Sequence, residues 1–241
     1  MKNSFQNIQP KQNTGKYFRF RILGKGPTLL ILGGSSSDWE NTLELLASNY
    51  TLVIPTFSKA VLDRQLKEDD PINYIQRLLD ELRIERFSIL AHSVSSWIGL
   101  SLVAKYPSRI HKLILANLPS AIEDKSGFVR LHQELIGKKG ILKPELSAFW
   151  YDRIFCQLGF LNELKEVLKS TPFLLIAGET DRFFSEEKLI NWSNLEKANL
   201  NLEVIRYAGH FSMKDNPWYF SAIVKEFLHS KDTPFLKSRM A

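Results

Sequence analysis

Five short runs in this chain are apolar nearly throughout: TLLIL (28–32), YTLVIP (50–55), RFSILA (86–91), IHKLILAN (110–117) and PFLLIAG (172–178). A strand with one wet face alternates apolar and polar residues. A strand that does not alternate is covered on both faces, which is the condition of a parallel sheet wrapped by helices. Helical patterns fill the gaps. ENTLELLASN, DPINYIQRLLDELRI and SSWIGLSLVAKYP carry apolar residues at three-and-four spacing, with Asp70 as N-cap, Pro71 at the first helical position and Pro107 as a stop. KYFRFRIL alternates like a half-buried strand and ends in the turn residues GKGP. Near the C-terminus the helix SEEKLINWSNLEKA, the strand LEVIRYAG and the helix PWYFSAIVKEFLHS continue the alternation. The expected fold class is α/β, a mostly parallel, doubly wound sheet with helices on both faces.

Between Pro119 and Ser170 the rhythm breaks. SGFVRLHQELIGKKG, KPELSAFWYDRIFCQLGF and LNELKEVLKS read as successive helices with no strand between them. Ligands of open parallel sheets gather at the carboxyl ends of the strands, where such insertions emerge. The expected organisation is therefore a core of residues 1–118 and 171–241, interrupted by a helical cap at 119–170. Cap aromatics, Phe149, Trp150, Tyr151, Phe155 and Phe160, divide between core and pocket lining, with Phe149, Trp150 and Phe155 the candidates for substrate contact.

The charge balance narrows the choice of partner. A net charge of +6 favours anionic partners, but lysines and arginines are interspersed with acids, as in KEDD and LNELKEVLK, and no basic stripe carries stacking aromatics. Nucleic-acid binding is not expected, nor is a membrane span, since no apolar run approaches about 20 residues. One cysteine, Cys156, forms no internal disulfide, and the polar start MKNSFQNIQPKQNTGKY has no apolar signal region; both point to the cytoplasm. No metal-ligand spacing or phosphate-binding glycine motif is present, so neither metal nor cofactor is expected.

FSILAHSVSSWIGL (87–100) joins a strand to a helix through a turn that holds Ser93. Such a turn strains the backbone at the serine and aims its hydroxyl away from the sheet, while the residues two before and two after must be small. Ala91 and Ser95 are small. The helix start also places the Val94 amide as an oxyanion donor. A plain helix N-cap is the competing use of this serine. A hydroxyl nucleophile needs a base, and of five histidines only His210, in VIRYAGHFSM, follows a strand near the C-terminus, with Gly209 allowing a tight turn. The base needs a carboxylate. Asp181, in LLIAGETDRFF, ends a strand on the same edge, with Glu179 and Asp124 as competitors. His92 is read as loop support and Trp39 as a loop anchor.

The runs LLILGGSSSDW, YTLVIP, the segment from INYIQ to LILAN, PFLLIAGETDRFF and YAGHFSMKDNPWYF, in this order, resemble the α/β-hydrolase superfamily, in particular its small capped esterase-like members. The likeness runs from about Phe18 to the C-terminal helix. It implies that nucleophile, acid and base fall on Ser93, Asp181 and His210, with oxyanion donors at Val94 and in the glycine loop. Where the family has His-Gly before that loop, this chain has Leu32-Gly33, which puts the second donor on Gly34 with Ser35 as rival. The family's glycines on either side of the nucleophile are replaced by Ala91 and Ser95, implying a slightly opened elbow, and PTFSK stands where Asp-x-x-Gly-x-Gly is frequent. The implied activity is hydrolysis of a small carboxylic ester, thioester or amide through an acyl-enzyme. A lyase or acyltransferase outcome on the same triad and a silent binding fold are the alternatives. The implied partner is a small acyl substrate. A basic cap with Arg130, Lys138, Lys139 and Lys143 would also suit an acidic acyl-carrier protein.

Overall fold

A computed structural model describes residues 18–57, 71–119, 126, 129–130, 170–184 and 200–230. The expected cap, including Phe149, Trp150 and Phe155, and the helix expected at 185–198 lie outside the described residues, apart from Pro119 and the helical positions 126, 129, 130 and 170.

All seven expected strands are present: β1 (Phe18–Leu23), β2 (Thr28–Leu32), β3 (Thr51–Phe57), β4 (Phe87–His92), β5 (Ile110–Ala116), β6 (Phe173–Gly178) and β7 (Leu200–Ile205). They form one sheet in the order β1-β3-β2-β4-β5-β6-β7. Only β1 runs antiparallel, on β3; every other pairing is parallel. The half-buried alternation of β1 fits its edge position.

Helices with both ends among the described residues are α1 (Ser36–Ala47), α2 (Pro71–Glu81), α3 (Ser96–Lys105), α4 (Ser212–Asp215) and α5 (Pro217–His229). Because side chains of a strand alternate between faces, each all-apolar run feeds two cores at once. Leu30, Leu32, Ile89, Ala91, Leu113 and Leu115 pack with α2 and α3 through Ile75, Leu78, Leu79, Leu102 and Val103. Their neighbours Leu29, Ile31, Leu90, Ile114 and Ala116 pack on the other face against Leu43 and Leu46 of α1 and Phe220, Val224 and Phe227 of α5. Burial on both faces is why these strands do not alternate.

The final helix has a polar anchor. Lys112 is buried in β5, and its ammonium donates to the carbonyls of Phe227 at 2.8 Å and Ser230 at 2.5 Å. A cation there meets the carbonyl-rich end of α5.

Strand order also locates the site. From β2 the chain moves to β3 on one side, then returns to place β4 on the other. Loops leaving β2 and β4 therefore diverge at the carboxyl edge, the crevice where open α/β sheets bind ligands.

Candidate active site

Ser93 follows β4 directly, in a 3-10 turn (Ser93–Ser95) that leads into α3. Its φ is +52°, the left-handed region that a side chain adopts only when its surroundings impose it. The strained turn expected from sequence is thus present.

Space is short around it, and glycines elsewhere supply the room. A Cβ on Gly99 of α3 would come within 3.3 Å of the Ala91 Cβ. A Cβ on Gly33 would come within 2.7 Å of the His92 carbonyl and 2.8 Å of the Ser95 hydroxyl. The atoms that Ala91 and Ser95 add to the elbow occupy volume those two glycines leave empty.

His210 sits in the loop between β7 and α4, and Asp181 in the loop after β6. Two contacts tie these loops together. The amide of Glu179 donates to the Ile205 carbonyl at 3.0 Å and that of Thr180 to the Ala208 carbonyl at 2.9 Å. Gly178 makes the approach feasible, since a Cβ there would lie 2.2 Å from the Gly209 carbonyl. Ser93, 117 residues from His210 in sequence, arrives within hydrogen-bond reach: Oγ to His210 Nε2 is 2.7 Å. His210 Nδ1 lies 3.1 Å from Asp181 Oδ1 and 3.0 Å from Oδ2. With the ring proton on Nδ1, the imidazole donates to the carboxylate and its Nε2 accepts from the serine hydroxyl. All three residues are buried.

Asp181 is held as a carboxylate. Burial pushes its pKa up, but the hydrogen bond and charge of His210, the Phe183 amide at 3.0 Å and the Asn117 side chain at 3.0 Å outweigh it, leaving the pKa below the ordinary value. Its competitor Glu179 is exposed and turned away, accepting from the Tyr207 amide at 2.9 Å. Asp124 lies outside the described residues.

Asn117 was not singled out from sequence. It is fully buried at the end of β5 with φ +51°, a conformation asparagine tolerates better than most residues. Its Nδ2 donates to both Asp181 Oδ2 and the Gly209 carbonyl at 3.0 Å, and its Oδ1 accepts from the Ser212 hydroxyl at 2.5 Å. One amide thus joins the acid loop, the base loop and the helix after it. An asparagine at the carboxyl end of a buried strand was the available signal.

His92 supports the loop, as read from sequence. Its Nε2 lies 2.8 Å from the carbonyl oxygen of His210, which can only accept, so Nε2 carries the proton. Burial first, and the neighbouring His210 second, hold its pKa down to about 4. The ring packs on His210 and Phe211, with centroids 5.2 and 5.3 Å away. Phe183 covers another side of His210, edge-on at 5.1 Å.

The glycine loop after β2 is fixed at both ends. Trp39 donates from Nε1 to the Gly33 carbonyl at 2.7 Å. The Ser35 amide, the rival to Gly34 as second oxyanion donor, is taken by Asp38 Oδ2 at 2.7 Å. Among the described residues no cluster of histidine, cysteine, aspartate or glutamate is arranged to hold a metal, and no helix is long and apolar enough to cross a membrane.

No known family profile matches the chain. An uncharacterised protein of Mycobacterium tuberculosis is 26% identical over 129 residues, 51% of this chain and 38% of that protein. An uncharacterised hydrolase of Saccharomyces cerevisiae is 29% identical over 121 residues, 47% of this chain and 42% of that protein. The chain thus spans less than half the length of these curated relatives. The likeness in structure is much wider. MGS-MChE2, an α/β-hydrolase enzyme from the sediment metagenome of the Mar Chica lagoon in Morocco, superposes with a TM-score of 0.70 at 18% identity, covering 92% of this chain and 99% of its own. The chain has the α/β-hydrolase fold.

Proposed function

We propose that this α/β-hydrolase-fold protein is a serine hydrolase that cleaves a small carboxylic ester through an acyl-enzyme on Ser93. The observation that carries this reading is the unbroken hydrogen-bonded line from Ser93 Oγ through His210 to Asp181. His210 Nε2 takes the hydroxyl proton as Oγ attacks the acyl carbonyl. Asp181 remains ionised, holds the ring by Nδ1–H and stabilises the imidazolium that forms. The Val94 and Gly34 amides receive the developing oxyanion, each worth about 2.7–4 kcal/mol in comparable enzymes. The imidazolium then protonates the departing alcohol. Water, deprotonated by the same nitrogen, releases the acid and restores Ser93.

An ester is favoured because an alcohol leaving group, protonated by His210 as it departs, suits an ordinary triad; thioesters and small amides follow the same route. The names of the yeast relative and of MGS-MChE2 as hydrolases agree with the chemistry and leave the substrate open. The deciding assay is hydrolysis of p-nitrophenyl esters of graded acyl length, run beside Ser93→Ala. Turnover that falls by at least about 10³-fold in the variant is expected. Strong labelling of Ser93 by a fluorophosphonate without ester turnover would move the assignment to an acyltransferase or lyase. An identical rate in Ser93→Ala would refute the mechanism.

A further inference from the structure

Trp39 does more than pack. Its indole N–H donates to the Gly33 carbonyl at 2.7 Å, and a Cβ on Gly34 would lie only 2.4 Å from the same nitrogen. In a trans peptide the carbonyl oxygen and the following Cα lie on one side, and the amide N–H and the preceding Cα on the other. The Gly33 oxygen and Gly34 Cα therefore face Trp39, while the Gly34 N–H points the way of the Gly33 Cα. That Cα abuts the elbow, since a Cβ on it would lie 2.7 Å from the His92 carbonyl and 2.8 Å from Ser95 Oγ. The next amide along, Ser35, is already bound to Asp38.

We infer that Trp39 is the positioning residue of the oxyanion hole, its indole N–H fixing the Gly33–Gly34 peptide so that the Gly34 N–H faces the acyl oxygen above Ser93. The physical need is specific. Gly33 and Gly34 have φ of +83° and +71°, and a Gly-Gly unit is free to rotate its shared peptide at little steric cost. A rotated peptide would turn a carbonyl lone pair, not a proton, toward the developing oxyanion. A hydrogen bond to the Gly33 oxygen selects the productive orientation before substrate arrives, which is the preorganisation that makes such donors effective. The indole is itself immobilised, edge-on to Phe220 at 5.9 Å and to His92 at 6.2 Å.

The inference rests on the acyl-transfer reading of Ser93. Two variants test it: Trp39→Phe, and replacement of Trp39 by benzothienylalanine, which exchanges the N–H for sulfur at nearly constant shape. Should Trp39→Phe fail to fold, the isostere carries the test. With a p-nitrophenyl ester, kcat is expected to fall about 10- to 100-fold while KM stays within about twofold. The affinity for a trifluoromethyl ketone, which forms a tetrahedral oxyanion on Ser93, should fall by a similar factor. A merely structural tryptophan would change melting temperature and leave both ratios near one, and that result in a folded isostere overturns the inference. Wild-type protein that neither turns over esters nor accepts a phosphonyl group at Ser93 overturns the hydrolase reading and this inference with it. Wild-type turnover matched by both variants overturns this inference alone.

Discussion

His92 makes the fold sensitive to acid in a defined pH window. It is buried beside the nucleophile and held near pKa 4, against 6.5 for a free imidazole. The unfolded chain takes up its proton near 6.5, the folded one near 4, so between these values the unfolded state binds more protons and acid favours unfolding. Stability from the neutral imidazole is complete above about pH 6.5 and is lost as pH falls through 4. A depression of this size corresponds to about 3 kcal/mol in full, most of which is gone by about pH 4.5. Asp181 shares the sign but not the window: its pKa is depressed below the ordinary carboxylate value of 3.8, so its contribution disappears only at lower pH. The variant His92→Gln removes the titration and keeps an N–H that can reach the His210 carbonyl. Urea unfolding of wild type and variant at about pH 7.5, 6, 5 and 4.5 gives the difference directly, with all other titrating groups common to both. The variant's stability relative to wild type should rise by about 2–3 kcal/mol across that series. A difference that stays constant within about 0.5 kcal/mol would refute the argument, because it would mean that His92 takes up protons equally in both states.

Two further perturbations separate the acid's support from the scaffold's. Asn117→Ala removes both donations from Nδ2 and leaves the Ser212 hydroxyl without its acceptor; kcat should fall about 10-fold and stability by about 1–3 kcal/mol, measured by ester turnover and urea unfolding. A folded variant with wild-type kcat would mean that Asp181 is aligned by other contacts. Lys112→Met deletes the cation at the end of α5. It should cost about 1–3 kcal/mol in urea unfolding and leave kcat unchanged, since Lys112 lies at the opposite end of its strand from Asn117.

What was legible in the sequence was what short stretches decide. Leu29 to Leu32 announce a doubly covered strand because each residue must find an apolar face, and no distant partner needs to be known. The positions of Ser93, Asp181 and His210 were legible because each follows a strand, and parallel strands share one carboxyl edge. Discrimination within a loop was harder. Glu179 and Asp181 are both carboxylates just past β6, and the choice depends on Tyr207, whose amide draws Glu179 outward. Asn117 escaped because its three partners are 64 to 95 residues away. Helix α1 starts at Ser36, earlier than its apolar spacing suggests, because Asp38 accepts from both the amide and the hydroxyl of Ser35. The same interaction removes Ser35 from the contest for the oxyanion.

The elbow shows why a motif of fixed glycines is the wrong unit of inference here. The physical requirement is empty volume where β4, the turn and α3 converge, and volume has no address in sequence. Ala91 and Ser95 carry the atoms that glycines at those sites would lack, while Gly99, eight residues past Ala91, and Gly33, in a loop 62 residues before Ser95, leave the space. Ser93 still reaches φ +52° and its hydroxyl still meets His210 at 2.7 Å. Because Gly33 also borders the peptide that Trp39 orients, the space given to Ser95 and the direction of the Gly34 N–H depend on one residue. A substituent at position 33 would disturb both, which ties the fit of the turn to the placement of the oxyanion donor.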